Sequence, residues 1–258
     1  MKKLATTFLA LAALTALAAS AYAAPLLSEG FSYANGNLVP NGGWATYSGT
    51  GTDLQIVSGR CNGNHANAPD DHKLFAVQPN TSTTYACFEV TIPAFVGQPK
   101  PVYFFLLKDG GTANFVSRVY VLPVAGGGWT FGVSHTSTSA TVGVTPWGTA
   151  LASGTKYKLV VNYNPVAHTS TLWVNPVNQG STNVTDTNAA ATALAVSGVG
   201  IRQTTTASTL PPPYVLTGTD ITYSIDNLGV GTTFDDACFQ LVTPTQGSTW
   251  GRLKSIYR

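Results

Sequence analysis

Residues 157–175 of this 258-residue chain read YKLVVNYNPVAHTSTLWVN. Two segments rich in β-branched and aromatic residues, Tyr157 to Tyr163 and Ser170 to Asn175, flank the loop Asn164 to His168. Residues of these types favour strands, and a short polar loop that contains Pro favours a turn between them. The stretch therefore predicts an antiparallel β-hairpin.

The same kind of pattern recurs along the chain. Phe115 to Val124 and Trp129 to Ser134 flank Gly126-Gly127-Gly128, which predicts a second hairpin. Val102 to Leu107 is a continuous apolar run, as expected of a strand that is buried on both faces. Helical patterns are scarce. Ten or more strands separated by turns predict an all-β fold, an antiparallel β-sandwich of the jelly-roll type.

The first residues have the pattern of a secretion signal. Lys2 and Lys3 precede an apolar segment, Leu4 to Ala18, and Ala21-Tyr22-Ala23 forms a small-x-small cleavage site. We therefore expect a bacterial protein that is secreted or held at the cell surface, with cleavage near Ala23. No second apolar run of about 18 residues follows, so no membrane span is expected in the mature chain.

The chain is expected to divide into a signal peptide, residues 1–23, a β-sandwich domain, residues 24–243, and a C-terminal tail, residues 244–258. In the tail, Trp250, Leu253 and Tyr257 recur at the spacing of one face of a short helix. Two interpretations stay open: a tail that frays or docks on the sandwich, and a docking or sorting segment for a surface partner.

Charge is nearly balanced in the mature chain. The precursor has 13 Lys and Arg against 11 Asp and Glu, and loss of Lys2 and Lys3 leaves 11 of each. The basic footprint of a nucleic-acid-binding protein is absent. A neutral, hydroxyl-rich surface favours neutral partners such as glycans, or self-association.

Three cysteines, Cys61, Cys87 and Cys238, lie in or beside predicted strands. Export permits a disulfide, and the odd count leaves at least one thiol unpaired. One bridge between neighbouring strands is expected, with its pairing left open.

Aromatic rings are the predicted means of binding sugars, because flat rings stack on the apolar faces of pyranoses. Trp129, Trp147, Tyr120 and Tyr214 lie in or near turn-rich segments and are the candidate ligand-binding residues. For each ring, packing in the core is the competing interpretation.

Three segments are characteristic when taken together: the hairpin that runs from Tyr157 to Pro176, the segment Tyr223 to Gly231 that contains Ile225-Asp226-Asn227, and the opening segment Glu29 to Tyr33 with Gly42-Gly43-Trp44 downstream. In these segments the chain resembles concanavalin A-like lectin/glucanase domains, laminin-G-like ones included. The resemblance implies a jelly roll of a secreted bacterial protein. That fold hosts lectins, hydrolases, lyases and structural modules, so it leaves the function open.

The resemblance also bears on catalysis. Jelly-roll glucanases place their carboxylates on one strand as Glu-x-Asp-x-x-Glu, whereas this chain has two glutamates in all, and Glu89-Val90-Thr91 offers a single acid. The leading hypothesis is therefore a secreted, non-catalytic carbohydrate-binding or adhesion module without catalytic residues. The alternative is a structural subunit of an extracellular fibre, coat or surface assembly, and the third possibility is a polysaccharide lyase or hydrolase.

Related jelly rolls often hold one structural calcium ion between their terminal strands. The resemblance places Glu29 and Asp226 at the matching points, so these two residues are the candidate calcium ligands, and no other cofactor is expected. The competing interpretation is that Glu29 caps a turn and that Asp226 bonds to a neighbouring backbone NH.

Overall fold

The computed structural model describes residues 24–135, 143–204, 210, 213–215 and 217–238. The predicted signal peptide and the tail 244–258 lie outside these residues. The strands are β1 (Leu27–Glu29), β2 (Gly36–Asn37), β3 (Trp44–Ser48), β4 (Gln55–Val57), β5 (Arg60–Asn64), β6 (Asp70–Gln78), β7 (Thr84–Thr91), β8 (Val102–Lys108), β9 (Phe115–Pro123), β10 (Trp129–Ser134), β11 (Thr145–Pro146), β12 (Lys156–Asn164), β13 (Thr169–Val174), β14 (Asn183–Thr187), β15 (Val196–Arg202) and β16 (Thr222–Gly231). A short 3-10 helix (Asn41–Gly43) precedes β3, and helix α1 (Phe234–Ala237) follows β16.

The strands form two antiparallel sheets that pack face to face. One sheet has the order β14-β13-β12-β7-β16-β5-β4-β2, with β1 also paired to β16, and therefore contains nine strands. The other has seven strands in the order β11-β10-β9-β8-β15-β6-β3. The predicted all-β sandwich is confirmed, as are the hairpins β12–β13 and β9–β10.

The main core fills the space between the sheets. Alternate residues of each strand point into it, as the two-residue period of a strand requires. Phe88 of the nine-stranded sheet meets Phe105 of the seven-stranded sheet there, with ring centroids 4.3 Å apart. Strand β8 is buried along its whole length, as its apolar run predicts. One face of β8 contacts this core, and the other lies under a second cluster that includes Leu210.

The disulfide joins Cys87 of β7 to Cys238, which directly follows α1, with 5.2 Å between the two Cα atoms. The prediction that the bridge joins two neighbouring strands is therefore wrong, because one of the two cysteines follows a helix. The bridge fixes α1 on the outer face of the nine-stranded sheet, where Phe234 packs edge-to-face against Tyr85 and Trp173. Cys61 is the free thiol and is buried in the main core.

Helix α1 is four residues long. No helix among the described residues has the length and apolar character needed to span a bilayer.

Candidate functional site

The four aromatic candidates separate into buried and partly exposed rings. Trp129 is only 2% exposed and lies in the main core, edge-to-face with Phe131 and Tyr157. Its indole NH donates to Ser153 Oγ at 2.9 Å. This ring has neither the exposure nor the free polar edge that a sugar would need, so the structure corrects its assignment as a ligand residue.

Trp147 and Tyr214, two of the predicted ligand residues, lie together. Both rings are half-buried and line one pocket of about 260 Å³. The pocket is at the β10–β11 end of the seven-stranded sheet, and its other walls include Thr130, Pro146 and Pro213. We call it the Trp147 pocket.

Tyr120 lies beside that pocket but is almost fully buried. Its ring packs edge-to-face against Tyr103, its cross-strand partner, with centroids 5.4 Å apart. Tyr120 belongs to a cluster of buried side chains that includes Leu210, and Tyr214 packs against that cluster. Burial raises the pKa of Tyr120 to about 12, so its hydroxyl stays protonated at neutral pH. The residue supports the site from below and does not form its open surface.

Two arginines that the sequence analysis missed flank the ring of Tyr103. The guanidinium carbon of Arg202 is 4.2 Å from the ring centroid of Tyr103, and that of Arg118 is 5.1 Å from it. Such contacts are attractive because a positive charge meets the negative face of the ring. Arg202 also lies 3.5 Å from a carboxylate oxygen of Asp70. These side chains project from the outer face of the seven-stranded sheet, on the side opposite the main core.

A third cation lies towards the β6–β3 side of the same face. Lys108 Nζ is 3.1 Å from His72 Nδ1 and 5.1 Å from the ring centroid of Tyr47. The rings of Tyr47 and His72 are 5.3 Å apart. Burial lowers the pKa values of His72 and Lys108 and raises that of Tyr47 well above its usual range. The Tyr47 hydroxyl is buried and has no hydrogen-bond partner among the described residues.

Gly200 determines the depth of this end of the face. A Cβ atom at residue 200 would lie 2.8 Å from Leu106 Cδ1 and 3.2 Å from the Tyr47 hydroxyl. The first contact would require Leu106 to shift, and the second is tighter than most real Cβ contacts, so glycine leaves room for the Tyr47 phenol close to the strands.

We call this surface the basic aromatic face. Its members are Tyr47, Asp70, His72, Tyr103, Lys108, Arg118, Tyr120 and Arg202. The face has three cations, Lys108, Arg118 and Arg202. Two carboxylates act on them, Asp70 beside Arg202 and Asp109 beside Lys108, which leaves a formal excess of one positive charge in a chain with a net charge of +2. Charges in partly dry surroundings are screened less than charges in water, so the excess favours an anionic ligand over this face.

The predicted calcium ligands do not form one site. Glu29 points into the sandwich and accepts hydrogen bonds from Trp44 Nε1 at 3.0 Å, Tyr33 Oη at 2.8 Å and Lys73 Nζ at 2.6 Å. Burial alone would raise its pKa, but these bonds and the one from Phe31 N lower it overall. A carboxylate already surrounded by donors, one of them an ammonium group, does not suit a divalent cation.

Asp226 faces the outer side of the nine-stranded sheet. It accepts a bond from Asn227 N at 2.8 Å and lies 3.8 Å from Arg60 Nε. Glu29 in turn accepts a bond from Phe31 N at 2.7 Å. Both residues thus have the local bonds of the competing interpretation. Within the described ranges, no group of three His, Cys, Asp or Glu residues has a geometry that could hold a metal ion.

Comparison with known proteins places the fold. No protein-family model and no curated protein matches the sequence. Among solved structures, alginate lyase Aly36B matches with a TM-score of 0.54 and 13% identity over 81% of this chain and 98% of the lyase.

Two further structures match at a similar level. The CBM2 module of the evolved Dit protein of Lactobacillus casei BL23 phage J-1 gives a TM-score of 0.51 at 11% identity, over 80% of this chain and 95% of the module. The binding domain of botulinum neurotoxin serotype D/C gives 0.52 at 8% identity, over 85% of this chain and 51% of that chain. The chain therefore has the concanavalin A-like β-sandwich fold that its sequence resembles.

Proposed function

We propose that this protein binds an acidic glycan along the basic aromatic face and that the Trp147 pocket holds one sugar at the end of the bound segment. The observation that carries the proposal is the pair of arginines around Tyr103, within a face where cations outnumber carboxylates. The partly exposed rings make the contacts, and the buried cations supply the potential that selects a carboxylate- or sulfate-bearing ligand.

The chemistry of the face matches that of an acidic sugar. Aromatic rings that are only partly exposed, Trp147 and Tyr214 at one end and Tyr47 at the other, offer flat apolar surfaces for the C–H faces of pyranose rings. Guanidinium groups are the preferred partners of carboxylates and sulfates. Seven strands at a spacing of about 4.8 Å span roughly 29 Å between the outermost strands, which is long enough for several sugars.

The matched structures are consistent with this proposal. A second structure of the alginate lyase contains alginate trisaccharide, and alginate is a polymer of uronic acids. At 12–13% identity that likeness shows the fold alone. The anion preference proposed for this chain therefore depends on its own cations.

The test is binding of the mature protein to immobilised oligosaccharides at physiological salt, with alginate and polygalacturonate set against neutral glucans and mannans. We expect the acidic glycans to bind, Trp147→Ala to weaken that binding at least tenfold, and Trp147→Phe to retain most of it because a flat ring remains. Preference for neutral glycans on this face, or equal binding by Trp147→Ala, would refute the proposal.

A second candidate function, eliminative cleavage of a polyuronate, is favoured by Tyr47. Its ring lies beside the His72–Lys108 pair, whose pKa values are lowered by burial. Its hydroxyl is buried and has no hydrogen-bond partner among the described residues. In such a reaction the pair accepts the proton α to the uronate carboxylate. Tyr47 then donates a proton to the departing glycosidic oxygen, which leaves an unsaturated uronide and a new hydroxyl end.

Cleavage is detected by the ultraviolet absorbance of the conjugated double bond in the product. If the site is catalytic, Tyr47→Phe abolishes that signal and preserves glycan binding. If the protein only binds, the wild type gives no signal with any polyuronate, and Tyr47→Phe binds as the wild type does.

A further inference from the structure

A second pocket lies on the opposite side of the sandwich, on the outer face of the nine-stranded sheet. It has a volume of about 410 Å³. Gln55 of β4, Asn62 of β5 and Ser224 of β16 stand side by side in register across three strands and form its floor. The other polar walls are Asn64, Asn67, Gln203 and Thr222, and none of the lining residues carries a charge. We call it the amide pocket.

The orientation of the amides on the floor is determined by their protein partners. Asn62 Nδ2 is 3.1 Å from the backbone oxygen of Arg60, and Gln55 Nε2 is 2.9 Å from that of Asp53. A backbone carbonyl can only accept, so the NH₂ group of each amide has to face it. The amide oxygens of Asn62 and Gln55 therefore have no donor among the described residues and can accept from a ligand.

The amide side chains in the wall of the pocket are also oriented by their protein partners. Gln203 is buried and donates through Nε2 to the backbone oxygens of Thr52 and Pro69, each at 3.2 Å. Its oxygen therefore faces Asn67, which donates to it at 3.3 Å, and the amide oxygen of Asn67 is left as an acceptor. Asn64 is the reverse case, because its oxygen accepts from Ala66 N at 2.9 Å and its NH₂ group is left to donate.

The pocket thus offers three amide oxygens, one amide NH₂ group and the hydroxyls of Thr222 and Ser224. This set is dominated by acceptors and contains no cation, so it disfavours carboxylates, sulfates and phosphates, which are acceptors themselves. Sugar hydroxyls donate and accept, and both roles are available here. Val57, which is 48% exposed, and Pro93 add apolar surface for C–H groups.

We infer that the amide pocket is a binding site for a neutral saccharide, separate from the basic aromatic face and opposite to it in charge preference. The floor of the amide pocket lies on the outer face of the nine-stranded sheet, whereas the basic aromatic face lies on the seven-stranded sheet. The protein is therefore able to hold a neutral and an acidic glycan at the same time. This inference does not require that the proposed acidic site be correct.

Saturation-transfer NMR on the mature, disulfide-bonded protein tests it. The probes are glucose, galactose, mannose, N-acetylglucosamine and their β-1,4-linked disaccharides, with galacturonate as the anionic comparison. We expect at least one neutral probe to bind in the millimolar range or more tightly, and galacturonate not to compete with it. Asn62→Leu and Ser224→Leu, which fill the floor with side chains that cannot accept, each weaken that binding at least tenfold.

Lys158→Ala is the matched control, because Lys158 is half-buried on the same outer face but does not line the pocket. It should bind the probe as the wild type does, and Trp147→Ala should also leave this binding unchanged. Thermal unfolding establishes that each variant is folded. The inference is wrong if no neutral probe gives a signal, or if folded Asn62→Leu and Ser224→Leu both bind normally.

Discussion

The guanidinium carbon of Arg202 lies 4.2 Å from the ring centroid of Tyr103, although the two residues belong to different strands far apart in the sequence. Strands β15 and β8 are neighbours in the seven-stranded sheet, and β9 brings Arg118 to the other side of β8. The sheet order thus concentrates positive charge that the overall composition does not reveal.

Arg118→Met should weaken binding of an acidic oligosaccharide about tenfold and make that binding less sensitive to salt. Removing one of three cations lowers the potential over the face, and salt screens what remains. The measurement is affinity by calorimetry at low and high ionic strength. Arg60→Met is the control, because it removes the same charge from the outer face of the other sheet. Equal losses in the two variants would contradict a localised anion site.

Two tryptophans that the sequence ranks alike should behave in opposite ways. Trp129→Ala should destabilise the protein by about 3 to 5 kcal/mol, because it removes a buried ring from the core. Trp147→Ala should cost less than about 1 kcal/mol, since that ring is half-exposed, and should affect glycan binding instead. Denaturant unfolding checks both values. A large loss of stability in Trp147→Ala would indicate a packing role.

The difference between these rings shows where sequence reasoning ends. Hairpins such as β12–β13 are local, so residue types and a turn are enough to predict them. Whether Trp129 lies inside or outside depends on the face of β10 that meets the other sheet. Its alternation with Phe131 and Val133, both in the core, was an available signal of that face.

The basic aromatic face could be predicted only in part. Arg118 and Tyr120 are two residues apart on one strand, so their shared face follows from the sequence. Their approach to Arg202 and Lys108 depends on strand order, which no local pattern specifies. The disulfide illustrates the same limit: Cys87 and Cys238 are separated by 151 positions, and only the placement of α1 on the nine-stranded sheet brings them together.

Cys238→Ser should destabilise the protein by about 2 to 5 kcal/mol, because the bridge closes a loop of about 150 residues and so restricts the unfolded chain. Release of α1 should also uncover Trp173, which packs against Phe234, and shift its fluorescence. The double variant Cys87→Ser/Cys238→Ser should lose little more stability than Cys238→Ser alone, because the bridge is already absent in the single variant. Any further loss would come from the packing of the Cys87 side chain. An unchanged melting temperature in Cys238→Ser would show that the bridge is not formed in solution.

Chelation should leave the melting temperature unchanged, because Glu29 is held by protein donors and Asp226 points elsewhere. Glu29→Gln should nonetheless destabilise the fold by roughly 1 to 3 kcal/mol, since it places an amide against the Lys73 ammonium and the Tyr33 hydroxyl. Thermal unfolding with and without calcium and chelator measures both effects. A melting temperature that rises with calcium in the wild type and not in Glu29→Gln would restore the calcium hypothesis.

Acid should destabilise the fold partly through His135. This side chain is buried, stacks on Tyr163, and has Nδ1 3.0 Å from Ser170 Oγ. Burial, with a smaller effect of His168, lowers its pKa from about 6.5 to about 4. Between these two values the unfolded chain binds a proton that the folded chain does not. Stability from this residue is therefore complete above about pH 6.5 and is lost as the pH falls towards 4.

The expected loss is roughly 1 to 3 kcal/mol over that window, and it should be smaller in His135→Gln, which cannot titrate. The measurement is the free energy of unfolding at several pH values in both proteins, so that any constant packing cost of the glutamine cancels in the comparison of slopes. His65→Gln provides a second case, because burial lowers the pKa of His65 to about 3. Parallel pH profiles for the wild type and both variants would mean that these rings are not buried in their neutral form.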